Sequence, residues 1–508
     1  MLFNSYVFIG LFLPVALAGF FASARFGRRS AGAWLVLASL VFYAWWNPAF
    51  LPLLLVSILV NYGMSELVAR AGARPRLQSG LLAAAVGLNL AALFYFKYFF
   101  EVARFLSAHF GLEVHADPII LPLGISFFTF TQIGYLIDVK QGAARDTGFL
   151  NYVLFVTFFP HLIAGPILHH REMMPQFAEK TTYRFSLLNF SVGMTVFALG
   201  LFKKAVLADP LGHAVGAGFA APETLSFFGA WWVAIKYSLQ LYFDFSGYSD
   251  MAIGLACMFN VRFPLNFNSP FKSQNVIEYW QRWHMTLTRY LNLYLYNPMA
   301  LAVVRWRSEH GYGTKRADQK TLGGFLSMTA LPTLLTMGLI GLWHGAGLQF
   351  LLFGLLHGFY LTVNHALRTF RGTAKPAAGS APGWPRRTFN VAATYIAVVA
   401  GLVLFRAASL DQALAMFHGM AGLRGFGAAA GMTEVAWVLL LAAIVWGCPN
   451  VQQIMGRFAP ALGKVEPVAP RLPLLWRANL RWAGMVGLLL AASLMAMGGT
   501  SEFMYFQF

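Results

Sequence analysis

Residues 322–344 read LGGFLSMTALPTLLTMGLIGLWH and residues 348–367 read LQFLLFGLLHGFYLTVNHAL, with only Gly345-Ala-Gly347 between them. A helix needs about 20 apolar residues to cross a hydrocarbon core roughly 30 Å thick. The two runs therefore predict a membrane hairpin, with spans around 321–343 and 346–367. Comparable runs recur at Tyr6–Phe21, Leu51–Val68, Leu81–Phe100, Phe227–Phe243 and Met485–Met497. Charged residues make up 11% of the 508 and hydrophobic ones 58%, against about 25% charged in soluble domains. The chain reads as an all-α, polytopic integral membrane protein. We expect about 12 transmembrane helices plus re-entrant and interfacial ones, in one membrane-embedded unit over 1–508.

The net charge of +18 has a bland explanation. Lys and Arg gather in short loops between apolar runs, as the positive-inside bias expects. Such a surface suits anionic lipid and phosphate-bearing donors, and no nucleic-acid motif accompanies it. Cys257 and Cys448 have no second cysteine at ligand spacing, which argues against zinc or a disulfide framework. The first apolar run has neither a basic flank before it nor a small-residue cleavage site after it. It reads as the first span and not as a removable signal peptide.

Basic loops set the expected topology. Arg25, Arg28 and Arg29 follow the first span and put the N-terminus in the periplasm. Arg70–Arg76 and then Lys140 with Arg145 return to the cytoplasm. The polar stretch 148–168, with two prolines and a histidine, predicts a re-entrant segment shielded by protein. Spans near 185–206 and 226–244 bracket an outer loop, where Lys203 and Lys204 fit poorly. The basic stretch 262–320 belongs at the cytoplasmic face. So does the loop Arg368–Arg387, whose Pro, Gly and Ser content predicts a mobile linker. Spans near 389–406, 434–447 and 484–499 end the chain outside.

Two histidines carry the strongest chemical signal. His344 lies in Gly341-Leu-Trp-His-Gly-Ala-Gly347, inside an apolar run, where ionisable side chains are costly and tend to be functional. A helix from Leu322 to Trp343 is roughly 33 Å long at about 1.5 Å per residue, which puts His344 near the outer end of the hairpin. A neutral imidazole there suits a general base; a hydrogen-bonded histidine at a hairpin corner is the other reading. His284 lies in Asn275-Val-Ile-Glu-Tyr-Trp-Gln-Arg-Trp-His-Met-Thr-Leu-Thr-Arg-Tyr290, which reads as one interfacial amphipathic helix with Trp280 and Trp283 at head-group depth. Arg282 and Arg289 share a face and, with Lys272, are candidates for donor phosphates. His284 faces either an internal channel or the surface. Asp244 and Asp250 read as capping or buried polar support beside a helix break at Gly247. His161 reads as a partner that holds a broken helix together. His357 and His365 read as packing or polar-network residues. No opposite charges pair within the spans by inspection.

There is no G-x-S-x-G elbow, Walker motif, H-E-x-x-H or dinucleotide fingerprint. Several longer strings carry a resemblance instead: Pro122-Leu-Gly-Ile-Ser-Phe-Phe-Thr-Phe130, Phe158-Phe-Pro-His-Leu-Ile-Ala-Gly-Pro166 and Tyr242-Phe-Asp-Phe-Ser-Gly-Tyr-Ser-Asp250. Asn266-Phe-Asn-Ser-Pro-Phe271 running into Tyr279-Trp-Gln-Arg-Trp-His284 belongs with them, as do Gly341-Leu-Trp-His-Gly345 and the ending Phe503-Met-Tyr-Phe-Gln-Phe508. In this order they resemble bacterial members of the membrane-bound O-acyltransferase family, particularly its alginate and polysaccharide O-acetyltransferase branch. Teichoic-acid D-alanylation subunits are more distant. The resemblance implies that His344 is catalytic and that His284 lines the same path nearer the cytoplasm. It also implies acetyl-coenzyme A as a cytoplasmic donor substrate, a separate periplasmic acetyltransferase partner, and an exported polysaccharide such as alginate or cellulose as the final acceptor. The expected location is the bacterial inner membrane.

The expected reaction is acetyl transfer across the bilayer, with His344 taking the proton of a hydroxyl on a partner's serine or on the sugar itself. Positioned proton transfer contributes about 10²–10⁴-fold. The rivals are a transporter or export channel, and a non-catalytic scaffold for a periplasmic acetyltransferase. The apparent lack of paired charges and repeat symmetry speaks against the channel.

Overall fold

The structure, a computed structural model, describes residues 1–111, 120–144, 148–371, 383–427, 431–463, 465 and 474–498. Three sequence expectations fall outside these residues: the sidedness marker Arg145, residues 372–382 of the linker, and the C-terminal string Phe503–Phe508. Among the described residues the chain is helical apart from one short parallel pairing, of Phe263–Pro264 with Ala461–Leu462.

Seven helices are long and apolar enough to cross a membrane: Phe8–Phe26, Pro48–Ala73, Pro75–Lys97, Leu187–Ala220, Leu322–His344, Leu348–Phe370 and Trp384–Arg406. Met432–Gly447 and Leu480–Ala496 are shorter apolar helices. The expected span at 226–244 lies in the continuous 32-residue helix Phe227–Met258, which is not among these seven, and some other apolar stretches are broken into short helices. The stretch 148–168 is one such place. It forms Phe149–Thr157, bends at Phe158, and makes a single further turn at Phe159–Leu162. Its backbone is covered by protein, as broken helix in a membrane requires. At the bend a ring nitrogen of His161 lies 2.8 Å from the Phe155 carbonyl oxygen, and the Phe159 amide donates to Ser39 Oγ at 3.1 Å.

The longest helix, the 32-residue Phe227–Met258, is buried along most of its length. The expected break at Gly247 is absent. Gly247 and Gly254 instead allow close approach to the Leu187–Ala220 helix. A Cβ on Gly200 would lie 2.6 Å from the Gly247 carbonyl oxygen, and one on Gly193 2.5 Å from that of Gly254. Small residues at such crossings let membrane helices pack tightly. The approach also brings opposite charges together. Lys204 pairs with Asp244 at 2.7 Å and with Asp209 at 2.6 Å, while Lys203 pairs with Asp250 at 2.6 Å. Asp244 and Asp250 are therefore ion-pair partners and cap nothing, and the lysines that fitted the topology poorly are neutralised. The absence of paired charges within spans was an error of one-dimensional reading, since the partners lie about 40 positions apart in sequence.

The expected single helix 275–290 is also split, into Val276–Trp280 and Met285–Leu291. His284, at the junction, has left-handed backbone angles, φ 42° and ψ 52°. Trp280 and Trp283 are buried inside the protein and present no face to lipid. The hairpin is present as expected. Its helices touch where a Cβ on Gly341 would collide with the Phe350 carbonyl and one on Gly354 with that of Met337. That contact fixes the corner on which His344 sits.

Candidate active site

His344 is the last residue of its helix and is 7% exposed. Its ring packs edge-on against Phe405, with centroids 4.8 Å apart. It borders two cavities. The smaller, about 30 Å³, is lined by His284, His357, Trp280, Phe353 and Phe405 among others. The other, about 90 Å³, is lined by Lys97, Pro122, Gly124, Ser126, Ile163 and Trp343. Residues far apart in sequence, from Lys97 to Phe405, thus gather around one imidazole.

His284 is 2% exposed, which excludes a surface position. Its Nδ1 lies 3.0 Å from Asn266 Oδ1. The same oxygen accepts from Thr286 Oγ at 2.8 Å, while Asn266 Nδ2 donates to Ser249 Oγ at 3.0 Å. With Oδ1 as acceptor, Nδ1 must carry the proton, and the lone pair is left on Nε2. Burial pushes the His284 pKa down to about 3, so its ring is neutral at physiological pH.

His357 has the opposite tautomer. Trp280 Nε1–H donates to its Nδ1 at 3.3 Å, which places the proton on Nε2, against Gly401. Trp280 is also the wall between the histidine cavity and a third cavity of about 260 Å³. Gln281, Thr288, Asn292, Thr336 and His365 give that third cavity a polar lining. Arg368, exposed, follows His365 by one helical turn.

The residues expected to meet donor phosphates are placed differently. Arg282 is bound to Glu278, with contacts of 2.9 and 3.0 Å, and to the Asn268 carbonyl. Arg289 forms a two-pronged pair with Glu172, its second contact at 2.8 Å. Lys272 donates to the Cys448 carbonyl at 2.7 Å. None of the three lines the cavities around His344. His161, Asp244 and Asp250 also lie outside them and serve the helix contacts described above. Sequence reasoning missed Lys97, Asn266 and Trp280. A lysine inside the apolar run Leu81–Phe100 is itself a signal of function. For Asn266 the signal was only its place in a motif string.

Residues 120–309 match the family model described as MBOAT, membrane-bound O-acyltransferase family. The chain is 39% identical over 465 residues to a peptidoglycan O-acetyltransferase of Helicobacter pylori, covering 84% of this chain and 80% of that one. It is 37% identical over 425 residues to a protein of Pseudomonas putida named "Probable alginate O-acetylase", with 83% and 80% covered. A teichoic acid D-alanyltransferase of Bacillus subtilis is 27% identical over 241 residues, 47% of this chain and 58% of that one.

Proposed function

Since this chain belongs to the membrane-bound O-acyltransferase family, we propose that it moves acetyl groups from cytoplasmic acetyl-coenzyme A to an extracytoplasmic glycan, with His344 as general base. The chain is a multi-pass membrane acyltransferase. One observation carries it: His344 is the one residue shared by the linings of two otherwise separate cavities. A buried base reachable from two directions suits a reaction whose donor and acceptor never share a compartment.

In this reading the donor thioester enters through the cavity beside His365 and Arg368, passes Trp280, and reaches His344 across the histidine pocket. The acceptor hydroxyl comes from the side of Lys97 and Ser126. His344 removes its proton as the oxygen attacks the thioester carbon, and the thiolate leaves with that proton. His284, neutral and held by Asn266, lines the donor's path. The acceptor is a hydroxyl of the glycan itself, as the names of the H. pylori and P. putida relatives suggest, or a serine of a periplasmic acetyltransferase partner that passes the group on. The three engaged cations Lys272, Arg282 and Arg289 shape the cytoplasmic face that receives the donor.

A transporter reading gains support from the buried pairs Lys203–Asp250 and Lys204–Asp244. Those pairs close on one another across a helix contact, apart from the His344 cavities. The deciding experiment follows label from acetyl-coenzyme A through the purified chain with its partner, comparing wild type with His344→Ala. Transfer by wild type and a loss of at least about 10²-fold in the variant are expected. Residual transfer above about a tenth of wild type removes His344 as the base.

A further inference from the structure

The side chain of Lys97 reaches the His344 cavity from the end of the Pro75–Lys97 helix. Its Nζ donates to the carbonyl of Trp343, the residue before His344, and lies over the Trp343 ring, 5.6 Å from the centroid. An ammonium has three donors, and the carbonyl uses one. No ion pair among the described residues involves Lys97. The Trp343 ring faces the charge, but an amine that only capped a helix end would leave its remaining donors without acceptors in a largely apolar place, which is costly.

Across the cavity stand Gly124, Ile125 and Ser126, the start of the 16-residue helix Ile125–Lys140. A helix N-terminus adds partial positive charge. His344, 7% exposed, lines the same cavity. Lysine, helix end and base thus surround one space of about 90 Å³, room for a small group.

Resting on the acyltransferase reading above, we propose that Lys97 Nζ holds the oxyanion of the acyl transfer while His344 handles the proton. The acceptor oxygen bonds to the thioester carbon, and its proton passes to His344. The carbonyl π electrons move onto oxygen, which Lys97 and the helix N-terminus receive. The C–O double bond then re-forms, the C–S bond breaks, and the thiolate takes the proton from His344. No other reactant is needed. A cation unpaired in the ground state and paired in the transition state is a differential interaction that lowers a barrier.

The test uses inverted membrane vesicles, which retain the cell's own acceptor, with labelled acetyl-coenzyme A added outside and base-labile acetate counted. Lys97→Met is expected to lower Vmax by about 10²–10³-fold, the cost of losing one oxyanion donor, with the donor KM within about twofold. Lys97→Arg, which keeps the charge, is expected to retain part of the rate. Lys97→Cys, in a chain carrying Cys257→Ala and Cys448→Ser, should be inactive, recover with 2-bromoethylamine, and stay inactive with neutral methyl methanethiosulfonate. The alkylation arm decides the matter even if Lys97→Met accumulates poorly. A Vmax for Lys97→Met within about threefold of wild type overturns the proposal. So does a raised KM at unchanged Vmax, which would make Lys97 a ground-state binder, or equal rescue by the neutral reagent. His344→Ala is run alongside: if it is fully active, the acyltransferase role of His344 fails, whatever Lys97 does.

Discussion

Asn266 Oδ1 sits 3.0 Å from His284 Nδ1 and fixes which nitrogen of that ring carries its proton. The two residues are 18 positions apart, and the backbone of one helps to hold the other: the Met285 amide donates to the Asn266 carbonyl at 2.9 Å. The Asn266 string is thus a clamp on the His284 junction.

Removing the clamp should cost rate before it costs fold. Asn266→Ala frees both His284 and Thr286, and a lost buried hydrogen bond is worth about 1–3 kcal/mol. We expect roughly a tenfold fall in acetyl transfer, with normal accumulation in the membrane. Asn266→Asp, which still accepts at the same place, should lose less. Equal rates for Asn266→Ala and wild type would mean that the orientation of His284 does not matter to the reaction.

The ion pairs of the central helices make a stability prediction. Lys204 is 1% exposed and Asp244 also 1%, so Lys204→Met removes the cation from the buried Asp244 carboxylate and from the half-buried Asp209. Breaking a buried pair from one side costs about 3–5 kcal/mol. The variant should melt well below wild type in a detergent thermal-shift assay, and Lys204→Met combined with Asp244→Leu should recover part of the loss. An unchanged melting curve for the single variant would show that these carboxylates are neutral or watered in the folded protein.

Arg289 offers a contrast between binding and structure. Its two-pronged contact with Glu172 ties the His284 region to the His170–Ala178 helix. We expect Arg289→Ala to lower the yield of folded protein and to leave the KM for acetyl-coenzyme A within about twofold. A donor titration giving a KM raised about tenfold at full yield would return Arg289 to the phosphate site.

Sidedness is checked by labelling single cysteines in a chain with Cys257→Ala and Cys448→Ser. Exposed Ser308, in the basic stretch, should be labelled as Ser308→Cys from the cytoplasm alone, and exposed Ala220 as Ala220→Cys from the periplasm alone. These positions avoid Gly313 and Gly218, where a side chain would strike Asp318 or Val233. Labelling of Ser308→Cys from outside would invert the hairpin and exchange the donor and acceptor sides of His344.

What this sequence determines by itself is whatever depends on local composition. Apolar length specifies membrane helices, and the run 322–367 specifies a hairpin with His344 at its corner, because burial of a continuous apolar stretch needs no information from elsewhere in the chain. Motif strings brought the family within reach for a similar reason. Continuity within a helix was less legible. The run 275–290 is amphipathic throughout, yet it breaks at His284, since a left-handed residue held by Asn266 is a tertiary arrangement that no periodicity records. Partnership was not legible at all. Lys204 with Asp244, Arg289 with Glu172, and Lys97 with the Trp343 carbonyl each join residues 40 to 246 positions apart. Only folding decides which charges meet, because in a low-dielectric interior each must find a partner, and geometry chooses which.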